Sequence, residues 1–351
     1  MQRVYVLSAI TALYLAAPIA AVATPQADDP PFTFRANVTL GRVDAQVVDA
    51  GNHPIRGLRV QDFILRVAEK PQEIRNFQSE KMPVDVVLLL DVSRSMGPHI
   101  RRVAAASHEA LRALRDQDRI ATMVFDRSTR LPMPFRPVLD AESEFESVLN
   151  RENFAGGTDI TRGLLDAASY VERNARRDAR RAIVIVTDDE TERDRNEPEV
   201  LRALTRADSV LSALIAPDAL HTGAAYHSPS SSDDDRPRDP YGDLYPRRYG
   251  WYGRGPRTQS AGTSQIANQS GGDSMAVDQA SAFEQTLARI RERYALYFYL
   301  PEGMQAGEER SVEVSLTDAA RRRYPDAQVR YRRSYLAPNG ANETEHARTI
   351  H

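Results

Sequence analysis

The sequence predicts an α/β fold in which a doubly wound, mostly parallel sheet carries helices on both faces. Two apolar runs, Val84–Leu90 (interrupted only by Asp85) and Ala182–Val186, are typical of strands that are buried on both faces of a parallel sheet. Amphipathic segments with helical spacing separate these runs from other short apolar runs. Strands that alternate with helices form right-handed crossovers, so this order favours an open parallel sheet between two helical layers.

The alternation of strands and helices covers residues 82–300. The predicted strands are 84–90, 119–125, 182–186, 210–215 and 294–300, with an antiparallel edge strand over 130–135. The predicted helices are 99–114, 141–150, 161–176, 197–207, 264–268 and 279–293. Residues 217–262 interrupt the pattern with a stretch rich in Ser, Asp, Arg, Pro, Gly and Tyr. This composition predicts an irregular insertion, either a recognition loop or a functionally quiet one.

Shorter patterns with strand periodicity flank this central region. Residues 32–81 contain alternating apolar positions and a turn signal at 49–52, which together predict a small all-β, sandwich-like module. On the other side, residues 312–316 and 329–335 predict a C-terminal β-hairpin within 301–337. Residues 338–351 form a polar tail.

The N-terminus predicts a secretory signal peptide over residues 1–23. Arg3 precedes a short apolar stretch, Val4–Ala17, and Ala21-Val22-Ala23 offers a cleavage site of small residues. The apolar stretch is too short for a membrane span, and a polar linker follows at 24–31. The alternative is an uncleaved anchor. We therefore expect an exported protein (periplasmic, outer-envelope or secreted) with no stable membrane span after cleavage.

The composition argues against two classes of partner. The formal net charge is -3, so no global excess of positive charge indicates binding to nucleic acid or to an anionic membrane. The chain contains no cysteine, so no disulfide can support it after export. Packing alone must hold the fold together.

Five oxygen-bearing side chains follow predicted strands or lie in a glycine-containing loop. They are Asp91, Ser93, Ser95, Thr158 and Asp188. Ligands bind at the carboxyl ends of parallel strands where the strand order reverses, so we expect the five to converge. Hard oxygen donors suit Mg²⁺, with Mn²⁺ or Ca²⁺ as alternatives, and a cation would remove the repulsion between the two carboxylates. Asp159 and Asp189 are accessory candidates at the same edge.

A structural explanation competes for each of these residues taken singly. Serine and threonine after a strand often cap the next helix, and an acid in that position is often a solvated loop residue. The combination of three separated segments, each in the expected order, favours the metal site over this explanation.

The segment Val84–Leu300 resembles a von Willebrand factor type A (VWA) domain, which has a Rossmann-like fold. The five residues named above resemble its metal-ion-dependent adhesion site. The resemblance implies that they bind Mg²⁺ and that an acidic side chain of a partner protein completes the shell. Asp189 departs from the pattern, since many relatives have glycine there. The flanking segments Pro54–Leu58 and Arg332–Tyr335 resemble the exported bacterial VWFA-related family of acidobacterial type.

These features predict a non-enzymatic, exported binding protein. The alternatives are an envelope scaffold with a purely structural metal and, with less support, a hydrolase. Ser93 is flanked by Val92 and Arg94, so the Gly-x-Ser-x-Gly motif of hydrolases is missing, and the sequence has no phosphate-binding glycine motif. No motif links His99 or His108 on the next predicted helix to these serines.

Overall fold

A six-stranded sheet and two four-stranded sheets organise the protein. The computed structural model describes residues 40–79, 82–154, 156–216, 258–277, 281–300 and 307–337. The predicted signal peptide, the linker, most of the insertion and the polar tail lie outside these residues. None of the helices in the described ranges is both long and apolar enough to cross a membrane.

The secondary structure elements are numbered in chain order. The strands are β1 (Leu40–Val48), β2 (Phe63–Val67), β3 (Lys70–Gln72), β4 (Ile74–Gln78), β5 (Val84–Asp91), β6 (Arg119–Phe125), β7 (Thr129–Pro137), β8 (Arg180–Thr187), β9 (Glu190–Thr191), β10 (Ser209–Ile215), β11 (Gln259–Ser260), β12 (Ser274–Ala276), β13 (Tyr294–Tyr299), β14 (Glu309–Leu316), β15 (Gln328–Tyr331) and β16 (Ser334–Leu336). The α-helices are α1 (Gly97–Leu111), α2 (Val138–Asn150), α3 (Ile160–Asn174), α4 (Glu197–Arg206), α5 (Thr263–Gln269), α6 (Ala282–Arg291) and α7 (Asp318–Arg323).

The six-stranded sheet has the order β12-β10-β8-β5-β6-β7. All neighbouring strands are parallel except β7, which pairs antiparallel with β6 at one edge. From β5 the chain first adds β6 on one side and later adds β8 and β10 on the other. The strand order therefore reverses at the β5–β8 boundary, and the predicted fold class and edge strand are confirmed.

Helices cover both faces of this sheet because alternate residues of β5 point in opposite directions. Leu88 belongs to a core that includes Ile100 of α1, together with Phe145 of α2 and Leu287 of α6. Its neighbour Leu89 belongs to the opposite core, formed with α3, α4 and α5. Each fully buried aliphatic side chain of this kind contributes roughly 1.5–3 kcal/mol to the free energy of folding. This packing on both faces keeps the ends of β5 and β8 in fixed positions.

Eight further strands, from both ends of the described chain, form a two-sheet sandwich, while β9 and β11 pair as a separate two-stranded sheet. The two sheets of the sandwich have the orders β15-β1-β13-β4 and β16-β14-β2-β3, and their inner faces share one apolar core. The predicted small β module is therefore not a separate N-terminal unit. It is completed by strands that follow residue 293.

The structure corrects two sequence-based predictions about these C-terminal strands. The sequence predicts that 294–300 is the last core strand of the domain over 82–300, but β13 lies antiparallel between β1 and β4 in the sandwich. The run has the apolar character of a core strand, and such a pattern does not identify the partner strand. The predicted hairpin of 312–316 with 329–335 forms only in part. β16 pairs antiparallel with the start of β14, whereas β15 pairs with β1 and α7 lies between β14 and β15 in the chain.

Buried arginines connect the sandwich to the central sheet. Arg180, at the start of β8, is fully buried and donates hydrogen bonds to the carbonyl oxygens of Arg291 (2.7 Å) and Arg293 (2.8 Å). Arg42 of β1 forms an ion pair of 2.6 Å with Asp208, which precedes β10. These contacts lie at the amino ends of the parallel strands and leave the carboxyl ends free for other roles.

Candidate metal site

Asp91 is the last residue of β5 and its side chain is buried. Its Oδ1 atom accepts a hydrogen bond from the Ser93 backbone N–H (2.9 Å), and its Oδ2 atom accepts one from the Thr187 hydroxyl (2.9 Å). The first bond is a local Asx-type turn, which fixes the carboxylate at the end of the strand. The second crosses to β8, the neighbouring strand.

Ser95 and Asp188 join the two strand ends. The Ser95 hydroxyl donates to Asp188 Oδ2 over 2.5 Å, and the Ser93 and Ser95 hydroxyl oxygens lie 3.3 Å apart. Asp188 directly follows β8, and its Oδ1 atom accepts a hydrogen bond from the Glu190 backbone N–H (3.1 Å). Ser93 begins a short 3-10 helix without a side-chain capping bond, so helix capping does not explain its hydroxyl.

Thr158 is buried in a loop that lies beside both strand ends. Gly156, two residues earlier, pairs with Ser93 in an isolated parallel bridge. The Thr158 carbonyl accepts hydrogen bonds from the Glu192 backbone N–H (3.0 Å) and the Thr191 hydroxyl (3.4 Å). The backbone thus brings Thr158 between the 93–95 and 188–192 segments.

Glycine is required in this loop because other groups approach the backbone closely. A Cβ atom on Gly156 would lie 2.8 Å from the Cβ atom of Asp126, which side-chain rotation cannot relieve. A Cβ atom on Gly157 would meet only the Glu192 carboxylate, the end of a flexible side chain that can move aside. Gly156 is therefore the position that allows the loop to approach the ends of β5 and β6.

The electrostatics of Asp91 differ from those of the other buried aspartates. Burial, and after it the charge of Asp188, raise the pKa of Asp91 to about 7. Burial also raises the pKa of Asp188. Neither carboxylate forms an ion pair with Arg, Lys or His within the described part of the chain, whereas each of the other buried aspartates there does. These arginine-paired residues are Asp62, Asp85, Asp118 and Asp273.

The donor chemistry at this edge fits a hard divalent cation. No group of three or more His, Cys, Asp or Glu side chains among the described residues could hold a metal, so a cation here would also need hydroxyl ligands. Two carboxylates and the Ser93 and Ser95 hydroxyls already lie together at the strand ends, with Thr158 in the adjoining loop. Oxygen donors of this kind are those preferred by Mg²⁺ and Ca²⁺.

The two accessory candidates have other contacts. Asp159 caps α3 by accepting a hydrogen bond from the Arg162 backbone N–H (3.0 Å). Asp189 adopts a left-handed backbone conformation (φ 60°), and its carboxylate accepts hydrogen bonds from the Ser260 hydroxyl (2.6 Å) and the Thr263 backbone N–H (2.9 Å). We therefore leave both residues out of the proposed ligand set.

Two features of the site were not found from the sequence. Thr187 orients Asp91 from the adjacent strand, and only the register of β5 against β8 places the two residues side by side. Arg127 and Glu192 form a two-point ion pair beside Gly157 (2.8 and 3.1 Å). Its only sequence signal is a pair of opposite charges 65 residues apart.

Residue 216, just before the insertion, and residues 258–260, near its end, are anchored at the same edge. The Ala216 backbone N–H donates to the Thr187 carbonyl (2.9 Å), and β11 pairs antiparallel with β9. The Thr258 hydroxyl also donates to the Glu190 carboxylate (3.0 Å). Both ends of the insertion therefore begin next to the candidate site.

Comparison with known proteins identifies the family. The model of the family described as "VWA domain containing CoxE-like protein" matches residues 21–232, more than half of the chain. No curated protein matches the sequence. The similar solved structures include an aerotolerance-related membrane protein from Bacteroides fragilis (19% identity, TM-score 0.41, covering 59% of this chain and 98% of that one). Another is a von Willebrand factor type A protein from Catenulispora acidiphila (13% identity, TM-score 0.40, covering 87% and 76%).

The family match confirms the VWA resemblance that the sequence motifs indicated, while the acidobacterial-type subgroup stays a prediction. The doubly wound sheet agrees with that assignment. The chain belongs to the family of VWA domain containing CoxE-like proteins.

Proposed function

We propose that this protein is a non-enzymatic binding protein that captures a partner protein through a divalent cation. The cation is Mg²⁺, with Mn²⁺ or Ca²⁺ as alternatives, and a carboxylate of the partner is its final ligand. The ligands from this chain are Asp91, Ser93, Ser95, Thr158 and Asp188. We further propose that the protein acts after export, in the periplasm, at the outer envelope or as a secreted protein.

One observation supports the metal more than any other. Asp91 is a fully buried carboxylate that accepts hydrogen bonds from neutral donors and forms no ion pair within the described residues. The other buried aspartates there are each paired with an arginine. An unpaired charge of this kind costs several kcal/mol of folding free energy. A divalent cation bound by Asp91 and Asp188 offsets that cost.

The proposed ligands also favour an acidic partner. Two carboxylates neutralise the charge of one divalent cation, and the hydroxyl ligands add no further negative charge. The site then has no excess negative charge to repel an incoming carboxylate, which can bind the cation at its open position because hard cations prefer oxygen ligands. A site with three or four carboxylates would repel such a partner.

The proposal contains no catalytic step. A serine nucleophile requires a base within hydrogen-bond distance. The acceptor of the Ser95 hydroxyl is Asp188, which this proposal makes a ligand of the cation, and the Nδ1 atom of His99 on α1 is buried with no hydrogen-bond partner in the described residues. We therefore propose binding without turnover.

Calorimetric titration with Mg²⁺ tests the metal site. We expect saturable binding by the wild type and none by the Asp91→Ala variant. Asp194→Ala is the matched control, since Asp194 is an exposed acid on the 188–196 segment outside the proposed ligand set. Binding that is equal in all three proteins would overturn the metal site.

Partner capture from envelope extract, in Mg²⁺ and again in EDTA, tests the function. We expect specific proteins to be retained only in Mg²⁺ and only by chains that keep Asp91. A large Mg²⁺-dependent rise in melting temperature without metal-dependent capture would instead identify a scaffold with a structural metal.

A further inference from the structure

A large cleft lies at the amino ends of the parallel strands, opposite the candidate metal site at their carboxyl ends. Its volume is about 1600 Å³, and it opens between the C-terminal ends of α3 and α4 and the β-sandwich. Pro83, just before β5, and Arg181, near the start of β8, line it. Asp91 ends the same β5 strand, so the length of that strand separates the cleft from the metal site by roughly 25 Å.

The charge of the cleft is opposite in sign to that of the whole protein. Seven arginines and four acidic residues line it, whereas the chain as a whole carries a formal net charge of -3. Such a local excess of positive charge attracts anionic groups, because a concave surface concentrates the field of the charges that line it.

Three of these arginines are free to contact a ligand. Arg173 of α3 and Arg202 and Arg206 of α4 are exposed, and none has an ion-pair or hydrogen-bond partner within the described ranges. Arg202 and Arg206 are four residues apart, so they lie on the same side of α4. α3 and α4 pack against each other, which places all three arginines along one wall.

The floor of the cleft also has more guanidinium groups than carboxylates. Arg42 and Arg332 both bind Asp208, at 2.6 Å and 2.8 Å. Arg181 donates to the carbonyl oxygens of Arg176 (3.1 Å) and Ala207 (3.0 Å). One carboxylate is therefore shared by arginines whose positions are fixed by the fold.

The sandwich side of the cleft supplies apolar and aromatic side chains among polar ones. The apolar and aromatic residues are Leu40, Phe77, Tyr297 and Leu336, and the uncharged polar and acidic ones are Gln78, Ser79 and Glu309. Leu40 is 44% exposed. The cleft is larger than a typical small-molecule pocket of about 300–1000 Å³. Its size, its excess of arginine and these apolar side chains together fit an extended polypeptide that carries acidic and apolar side chains.

We propose that this cleft is a second binding site, which takes an acidic, partly apolar segment of a partner protein. The site is independent of the metal, because its residues lie at the amino ends of the strands. A protein with one binding site at the carboxyl ends of its strands and another at their amino ends would connect two different partners.

Fluorescence anisotropy with a labelled ten-residue peptide of Asp, Glu and two Leu residues tests this site in EDTA. We expect saturable binding that weakens as salt concentration rises. The Arg202→Glu/Arg206→Glu double variant should lower the affinity about tenfold, since it replaces two attractive contacts with repulsive ones. Both residues are exposed, so the variant should keep its circular dichroism spectrum and melting temperature.

The matched control is Arg102→Glu/Arg322→Glu, which changes the charge equally at exposed arginines of α1 and α7, outside the cleft. We expect this control to bind the peptide as the wild type does. Equal losses in the two double variants would overturn the site, since net charge would then explain the binding. Binding to vesicles of anionic lipid without binding to the peptide would overturn it as well.

The two proposed sites can fail separately. Asp91→Ala should keep peptide binding, and the Arg202→Glu/Arg206→Glu variant should keep Mg²⁺ binding. Loss of peptide binding in Asp91→Ala would contradict the independence of the cleft, whatever the result of the metal titration.

Discussion

The carboxylate of Asp91 is fully buried. Within the described part of the chain, its hydrogen bonds come from neutral groups, the Ser93 backbone N–H and the Thr187 hydroxyl. Burial disfavours the charged form, and the nearby charge of Asp188 disfavours it further. Without a cation, the native state must therefore accommodate a charge that water would solvate in the unfolded chain. This conflict between folding and function is common at binding sites.

The Asp91→Asn variant separates the destabilisation by the buried charge from the stabilisation by a bound cation. In EDTA at pH 8 we expect it to be more stable than the wild type by on the order of 1–3 kcal/mol, because the buried charge is removed. The amide oxygen can still accept from the Ser93 backbone N–H, and the amide NH2 group can donate to the Thr187 hydroxyl oxygen in place of the bond that Asp91 accepts from it. In Mg²⁺ the wild type should gain stability while the variant does not. Thermal denaturation in both buffers measures this, with Asp194→Asn as the control. A variant that melts below the wild type in EDTA would show that the charge itself stabilises the fold.

Residue identities predicted the candidate donors better than they predicted the contacts around them. Asp91 and Asp188 are recognisable because an acid abruptly ends an apolar run. The bond from Thr187 to Asp91 depends on strand register, which the local sequence does not contain. Asp189 resembles a further ligand in sequence, but its left-handed backbone directs the carboxylate to Ser260 and Thr263.

Among the elements, strand β5 depends on ionic contacts at its amino end as well as on apolar burial. Asp85 is buried there and accepts hydrogen bonds from Arg119 of β6 (2.6 Å) and from Arg176 after α3 (2.6 Å). Burial by itself would raise the pKa of Asp85, but these arginines hold it below its usual range. The pair of bonds fixes where β5 begins.

Asp85 therefore makes the stability of this region dependent on pH. Its pKa is lower in the folded than in the unfolded state, so its contribution is present above about pH 4 and is lost as the pH falls through the folded value. We expect Asp85→Asn to lower the free energy of unfolding by about 3–5 kcal/mol at pH 7 and by less at pH 3.5. Urea denaturation at both pH values checks this. Asp166→Asn, at a half-exposed carboxylate, should change little. A destabilisation by Asp85→Asn that is as large at pH 3.5 as at pH 7 would contradict this explanation.

The existence of the elements could be predicted, but the partner of a strand could not. The runs that became β5, β6, β8 and β10 are recognisable because strands between two helical layers are apolar throughout. β13 has similar apolar character, yet it pairs with β1, more than 240 residues earlier in the chain. Pairing over such distances depends on which edges remain uncovered after the helices pack.

At the scale of the whole molecule, the sandwich closes only when both ends of the described chain are present. β1 and β2 come from the N-terminal side, while β13, β14, β15 and β16 come from the C-terminal side. The central domain is thus inserted between two halves of another folding unit. Its position against the sandwich is set by buried arginines rather than by apolar contacts alone.

Arg180 is the contact with the greatest expected effect on this arrangement. It is fully buried, donates to carbonyl oxygens of Ile290, Arg291 and Arg293, and lies 3.6 Å from the Asp44 carboxylate of β1. Replacing it leaves several buried acceptors without a donor, each costing about 1–3 kcal/mol. We expect Arg180→Gln to lower stability by at least about 3 kcal/mol and to uncouple the sandwich from the central domain.

Urea denaturation followed by circular dichroism and by limited proteolysis measures both effects. The wild type should unfold in one transition by both methods, whereas Arg180→Gln should lose protease resistance in the sandwich at a lower urea concentration than in the central domain. Arg162→Gln is the control, because Arg162 is an exposed helix residue whose ion pair with Asp166 is worth under about 1 kcal/mol. If Arg180→Gln still unfolds in one transition, apolar packing between the two parts is sufficient to join them, and the buried arginine only adds to their common stability.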